Sequence, residues 1–315
     1  METNLHILGC GSATPSMLHQ PACQVLEHRG RVMMFDCGEG AQLSVRRHHI
    51  KFTRLTDVFI SHLHGDHLLG LPGLLSSLGL HDKHGSVTVH IFEAGAELLD
   101  LTLRTVCHEL PYEVKYNVIR PGEEQLLVDA GGFTVNSFPL YHRVPCSGFR
   151  FQEKEKPRHL KGDMVKYHNI PLYKLNEIKQ GADYVTPEGV VIPNSHLTRD
   201  ASPAVSMAYA SDTMFDARVA DSVHGVSLLY HEATYAGADM AELAAQRGHS
   251  TAAQAAEIAR MAGVGHLLLG HYSKRYNGTD EHLKEARAIF PDTMAANEGM
   301  VIELDKPGMP ATCRR

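Results

Sequence analysis

Residues 61–67 read Ser-His-Leu-His-Gly-Asp-His, which places three imidazoles and a carboxylate within six residues, directly after the short β-like run 57–60. These polar side chains converge too tightly for ordinary packing, as the clustered N and O ligands of a catalytic metal site do. A β-strand alternates its side chains between faces, so His62 and His64, two apart on a continued strand, can lean the same way and grip one metal ion. Asp66 and His67 open the apolar run 68–80, expected as a helix, and can face a second ion. Imidazole and carboxylate without thiolate suit zinc, manganese or iron at a hydrolytic centre. The plain alternative is a histidine-rich surface turn, in a chain that holds 22 histidines.

With 315 residues, 43% of them hydrophobic, the chain can bury a large core as one domain or two smaller ones. The N-terminus lacks a basic stretch followed by an apolar one, and no run of about 18 uncharged apolar residues occurs, so neither a secretory signal nor a membrane span is expected. A cytoplasmic protein with reduced thiols is the expectation. Cys10, Cys23, Cys37, Cys107, Cys146 and Cys313 are scattered without metal-finger spacing.

A net charge of −6 does not mark a nucleic-acid binder, so any such role must rest on local patches. One is Arg46-Arg47-His48-His49 with Lys51 and Arg54. The other, 153–179, sets Lys154, Lys156, Arg158, Lys161, Lys166, Lys174 and Lys179 against four carboxylates. Either patch alone reads as a solvated charged face.

Along the chain, a strand at 5–8 enters the turn Gly9-Cys10-Gly11, and 23–27 with 31–36 form a hairpin around Arg29-Gly30. That hairpin ends at Asp36-Cys37-Gly38-Glu39-Gly40, where Asp36 is placed to hold a neighbouring ligand loop. A helix from Ala41 and another over 96–110, with strands at 87–92, 114–119, 125–128 and 133–138, fill the first half. The last of these leads into His142, just past a strand end. Pro157, Gly162, Pro171, Gly181, Pro187, Gly189 and Pro193 punctuate 154–200, which reads as an excursion from the body of the fold. Three apolar strands, 204–210, 226–230 and 266–269, then end at Ser211-Asp212-Thr213, His231-Glu232-Ala233-Thr234 and Gly270-His271-Tyr272-Ser273. Each delivers a potential ligand or acid/base group. His249-Ser250-Thr251 precedes the Ala-rich helix 252–262, so His249 fits a capping loop and a catalytic role equally.

Taken in order, these motifs resemble ribonuclease Z, the tRNA 3′-processing endonuclease family of the metallo-β-lactamase superfamily. The resemblance spans nearly the whole chain. His-x-His-x-Asp-His marks only the superfamily, whereas the His-Glu-Ala-Thr loop and His271-Tyr272-Ser273-Lys274-Arg275-Tyr276 point to this member. It implies an α/β fold, a four-layer αβ/βα sandwich, with a tRNA-binding arm inserted at about 154–200. It implies two zinc ions per subunit, with manganese or iron acceptable: His62, His64 and His142 for one, Asp66, His67 and His271 for the other, and Asp212 between them. Asp66 is implied as proton acceptor, and His249, oriented by Glu232, as the acid for the leaving 3′-oxygen. The implied products are a tRNA 3′-hydroxyl and a trailer 5′-phosphate. Ser273, Arg275 and Tyr276, together with Lys154, Lys156, Arg158 and Lys161 of the arm, are candidate contacts to precursor tRNA, and a homodimer is the implied assembly. Two stretches depart from the family pattern: Asn169-Ile170-Pro171-Leu172-Tyr173 stands where a Gly-Pro-rich arm tip is usual, and Pro15-Ser16-Met17-Leu18-His19-Gln20 lacks the usual Lys/Arg-Asn pattern. The competing readings are a phosphodiesterase or other hydrolase of the same fold acting on a small molecule, and a non-catalytic RNA-binding scaffold. The scaffold predicts missing ligands, and none is missing.

Overall fold

The computed structural model describes residues 3–107, 109–237 and 239–305, together with the backbone of Thr312–Cys313. His108 and the side chain of Cys313 lie outside the described residues. Two compact units form: a larger one from Met1–Ala130, Thr134–Gln152 and Val205–Arg315, and a smaller one from Gly131–Phe133 and Glu153–Ala204.

The chain opens with β1 (Thr3–Gly9), β2 (Cys23–His28), β3 (Arg31–Phe35), α1 (Ala41–Arg47), β4 (Leu55–Phe59), α2 (Gly65–Leu68), α3 (Leu71–Gly79), β5 (Ser86–Ile91), α4 (Glu93–Cys107) and β6 (Glu113–Val118). It continues through β7 (Gln125–Ala130), β8 (Phe133–Leu140) and β9 (Cys146–Glu153). The smaller unit carries β10 (His159–Leu160), α5 (Gly162–Tyr167), α6 (Leu175–Lys179), β11 (Tyr184–Val185), β12 (Val191–Ile192), α7 (Asn194–Leu197) and β13 (Thr198–Arg199). Back in the larger unit come β14 (Ser206–Ala210), α8 (Arg218–Ser222), β15 (Leu228–Glu232), α9 (Ala241–Arg247), α10 (Ala252–Ala262), β16 (His266–Gly270), α11 (Asp280–Ile289), β17 (Thr293–Ala295), β18 (Met300–Glu303) and β19 (Thr312–Cys313).

Two large sheets result in the body of the fold, ordered β19-β18-β1-β2-β3-β4-β5-β6 and β17-β16-β15-β14-β9-β8-β7, besides the two-stranded pairs β10-β13 and β11-β12. Strand alternation explains their packing. In β3, Val32 and Met34 face one way and join Val58, Leu71, Leu74 and Leu75 in a core beneath α1, α3 and α4. Phe35 faces the other way with Phe59, and the two rings meet Phe149 of β9 and Tyr209 of β14 at centroid distances from 5.3 to 6.1 Å. The sheets therefore lie face to face. Helix α10 packs on β15 and β16 from outside, giving helix, sheet, sheet, helix in sequence. Among the described residues no helix is long and apolar enough to cross a membrane.

The run 68–80 does not form one helix. It breaks between α2 and α3, because Gly70 turns to donate to the Cys37 carbonyl at 2.9 Å, and a Cβ on Gly70 would stand 2.0 Å from the Gly38 carbonyl oxygen. Asp66 and His67 consequently sit on a one-turn helix of their own. The helix expected over 96–110 spans Glu93–Cys107 instead. Thr251 caps α10 by a reciprocal capping box with Gln254.

The smaller unit has its own core of Ile170, Ile178, Tyr184, Ile192 and Leu197, with Leu160, Met164, Val165 and Leu175 against it. Its strands are two residues long, too short for an alternating pattern to register in the sequence.

Candidate metal centre

Parallel pairing of β14, β15 and β16 puts the C-terminal ends of the three strands side by side, and with them Asp212, Glu232 and His271. Across the sandwich β4 delivers the ligand loop to the same rim. That loop is not strand: β4 stops at Phe59, and His64 is the extended residue preceding α2. His62 and His64 still face each other, Nε2 to Nδ1 at 2.9 Å. Asp36 fixes the loop from beneath. Its Oδ1 accepts the Ser61 N–H at 2.7 Å, and its Oδ2 meets Ser61 Oγ at 2.8 Å, His67 Nδ1 at 2.7 Å and the Tyr209 hydroxyl at 2.8 Å.

Two groups of ligand atoms assemble here, His62, His64, His142 and Asp212 in one and Asp66, His67 and His271 in the other, each set lying within 4.8 Å of one another. Asp212 joins them. Its Oδ2 is 3.5 Å from His62 Nε2 and 3.9 Å from His142 Nε2, while its Oδ1 is 3.1 Å from His271 Nε2 and 3.6 Å from His67 Nε2. Asp66 Oδ2 is 3.4 Å from His67 Nε2 and 3.5 Å from His271 Nε2. These separations match neighbouring ligand atoms around one ion with bonds of about 2.0–2.2 Å.

The residues fit divalent cations on a second ground. The Nε2 atoms of His67, His142 and His271 and the Oδ1 of Asp212 are buried without a hydrogen-bond partner. Each such atom costs about 1–3 kcal/mol if nothing meets it. The opposite ring nitrogens are all engaged: His67 Nδ1 by Asp36, His142 Nδ1 by the Gly248 carbonyl at 2.7 Å, and His271 Nδ1 by Thr234 Oγ1 at 2.9 Å. A proton held on Nδ1 leaves the Nε2 lone pair aimed at the centre. Burial pushes His62, His64 and His142 below the ordinary imidazole value, which keeps their lone pairs free. His67 goes the other way: burial opposes its charge, yet Asp212 and Asp36 outweigh it.

Beside the cluster stands an acid–imidazole pair. Glu232 Oε1 accepts from the Thr213 N–H at 3.0 Å and meets His249 Nδ1 at 2.9 Å; its Oε2 takes the Thr234 N–H at 2.9 Å and hydroxyl at 2.7 Å. Burial opposes charge on both partners, but attraction wins, lowering Glu232 to about 2 and raising His249 to about 9. The His249 contribution to stability is thus fully present below its ordinary value of 6.5 and lost as pH rises through about 9; that of Glu232 is present above 4.5 and lost as pH falls through about 2. Asp66 is likewise held well below the carboxylate range, burial being outweighed by His271 and His67. The Ala13 N–H donates to its Oδ2 at 2.7 Å.

Asp66, His64 and His249 open onto a cleft of about 650 Å³ whose wall includes Ser273 and Arg275. The Arg275 guanidinium stacks on the Tyr235 ring, 4.9 Å from its centroid. Tyr276 is occupied elsewhere, its hydroxyl bonded to both the N–H and the carbonyl of Ala236 at 2.8 and 2.7 Å. Lys156, Arg158 and Lys161 lie in the smaller unit and are engaged inside it: Lys156 with Glu153 at 2.7 Å, Arg158 with Thr198 and Asp200 at 2.7 and 2.8 Å, Lys161 with the Ser195 carbonyl at 2.8 Å. Lys154 belongs to the same unit. Sequence reasoning names Asp36 but assigns no role to Thr234, Gly248, Tyr209 or Ala13. Tyr209 acts through its hydroxyl, Gly248 and Ala13 through backbone groups, and Thr234, the last residue of the His-Glu-Ala-Thr loop, through both its N–H and its hydroxyl.

A family model described as Anti-Pycsar protein Apyc1 matches residues 3–154, which takes in His62 through His142 and stops before Asp212. The ribonuclease Z of Bacteroides fragilis is 46% identical over 300 residues, spanning 95% of this chain and 98% of that protein. The solved short form of human tRNase Z superposes with a TM-score of 0.70 at 24% identity, covering 96% of this chain and 99% of that one. The metallo-β-lactamase fold protein YhfI from Bacillus subtilis gives 0.68 at 18%, covering 96% and 100%. The structural likenesses establish the metallo-β-lactamase fold. The sequence likeness, extending past residue 154 through Asp212, His249 and His271, establishes the family: this chain belongs to the ribonuclease Z family.

Proposed function

We propose that this chain is a divalent-metal-dependent endoribonuclease that removes the 3′ trailer from precursor tRNA. The observation that carries this reading is the joining of two ligand groups through Asp212, next to the Glu232–His249 pair. His62, His64 and His142 would hold one ion, Asp66, His67 and His271 the other, with Asp212 between. The donor set suits zinc and also accepts manganese or iron. When bound, the ions acidify water and offset the charge that develops on the attacked phosphate.

The chain's own groups divide the proton work. Asp66, ionised and aligned by the Ala13 N–H, takes the proton of the attacking water. Glu232, fixed by three donors from Thr213 and Thr234, keeps His249 protonated on the cleft side. His249 gives that proton to the leaving 3′-oxygen as the P–O3′ bond breaks. The products are a tRNA 3′-hydroxyl and a trailer 5′-phosphate. The smaller unit is the candidate for gripping the body of the tRNA, in a homodimer where one subunit's arm holds the RNA cut by the other.

Metal-loaded protein incubated with 3′-extended tRNA should cut once, after the discriminator base, and lose that activity on dialysis against a chelator. No cut by loaded protein sinks the reading. The family model stops at residue 154, short of Asp212, His249 and His271, and hydrolysis of a small phosphodiester is the second reading. Removing residues 154–200 separates them: under the first, tRNA turnover collapses while hydrolysis of a small phosphodiester survives; under the second, the small phosphodiester is hydrolysed with or without the segment and tRNA is cut by neither form.

Gly248 tests the ligand assignment without touching a ligand. Its φ is 78°, and an added Cβ would lie 2.7 Å from His142 Nδ1. Gly248→Ala should therefore displace His142 and weaken metal retention about 10–100-fold, read by competition with a chromogenic chelator. Unchanged retention removes His142 from the site.

A further inference from the structure

The larger unit holds a second and bigger cleft, about 930 Å³, on the helix-bearing face of the first sheet. It is walled by β1, the β2–β3 turn, β18 and the chain that follows α1, and the catalytic reading makes no use of it. Arg29, Arg31, Arg47, Lys51 and Arg54 line it, against the carboxylates of Glu27 and Glu303. This runs against a chain whose net charge is −6. Among the described residues no side-chain hydrogen bond or ion pair ties down Arg47, Lys51 or Arg54. Glu27, also in the lining, is paired with His6 Nε2 at 3.3 Å, and its carboxyl is held low first by that contact and then by the nearby charges of Lys51 and Arg54.

The position of the cleft selects its occupant. Arg54 immediately precedes β4, and the metal-ligand loop follows the other end of that five-residue strand. At about 3.3 Å per residue the two are roughly 17 Å apart, beyond the reach of one small anion. We propose that this cleft is a second RNA-binding surface, in which Arg47, Lys51 and Arg54 contact the phosphodiester backbone of the substrate at a distance from the cleaved bond. The inference rests on the RNA reading of the metal centre. Backbone contacts of this kind add affinity through counterion release and carry no sequence information. They act on binding and leave the chemical step alone.

The test is the double variant Lys51→Glu/Arg54→Glu in the metal-loaded enzyme, with Arg46→Glu as a control outside the cleft. For 3′-extended tRNA at about 0.1 M salt, KM and the equilibrium Kd of the double variant should rise at least tenfold with kcat within twofold. The slope of log Kd against log salt should fall by about 1.8, that is about 0.9 for each of two lost phosphate contacts. Hydrolysis of bis(p-nitrophenyl) phosphate should be unchanged, which also reports an intact fold and centre. Lys51→Gln/Arg54→Gln should move Kd the same way by less, and Arg46→Glu should not move it. Unchanged Kd and salt slope in the reversal variant overturn the inference. If wild type fails to cleave precursor tRNA, the proposed function falls, and the Kd comparison on the same RNA still decides whether this cleft binds it.

Discussion

Asp66→Ala should lower kcat on precursor tRNA by at least about 10³-fold while changing Kd for the RNA less than about threefold. The size of the effect follows from what converges on this carboxylate. The Ala13 N–H fixes Oδ2 at 2.7 Å, and the same oxygen lies 3.4 and 3.5 Å from the Nε2 atoms of His67 and His271. Removing it deletes the proton acceptor and one donor of the second ligand group together, whereas RNA affinity comes from cations elsewhere. Asp66→Asn separates the two losses, since it keeps an acceptor for Ala13 but cannot take up a proton. Single-turnover rates and equilibrium binding on the same RNA measure both quantities. Equal losses of rate and affinity, or an active Asn variant, would contradict the role given to Asp66.

His249→Ala should cost about 10²–10³-fold on RNA, whose leaving 3′-oxygen is a poor leaving group and needs a proton as it departs. On an aryl phosphodiester, whose nitrophenolate leaves unprotonated, the loss should stay below about tenfold. That contrast isolates proton delivery from ligand positioning, because a disturbed metal centre would slow both substrates alike. The partner variant Glu232→Gln removes the charge that raises His249 to about 9. The protonated form is the working one, so the alkaline limb of kcat on RNA should move to lower pH, toward the ordinary 6.5. A limb that stays in place takes His249 out of the reaction. The hydrogen bonds of Glu232 to Thr213 and Thr234 also make this variant a sensitive one, so its folding should be checked by circular dichroism.

Much of this was readable in the residues themselves. The ligand loop, the three apolar strands that end at Asp212, Glu232 and His271, and the buttress at Asp36 follow from local chemistry and strand length. The pairing of His62 with His64 was legible for a reason that differs from the structure's: they face each other across an extended loop, since the strand stops at Phe59. The helix break at Leu69–Gly70 was not legible, because it answers to the Cys37 and Gly38 carbonyls, some 30 positions earlier in the chain. Thr234, Gly248, Tyr209 and Ala13 escaped for a related reason. Tyr209, Gly248 and Ala13 each act through one hydroxyl or one backbone group on a partner distant in sequence, and Thr234 reaches His271, 37 residues on, through its hydroxyl; composition and periodicity do not register such contacts. Of the two basic patches, the one after α1 needed the fold to gather Arg29 and Arg31 beside Arg47, Lys51 and Arg54 before it became a cleft.

The central claim is that Asp212 closes two separate ligand groups into one centre. The most direct test is the metal content of protein purified without chelator, by inductively coupled plasma mass spectrometry, for wild type and Asp212→Ala. The account predicts two divalent ions per chain in wild type, one for each group, and loss of at least one in the variant. Wild type with one ion or none, or a variant that retains both, would contradict it.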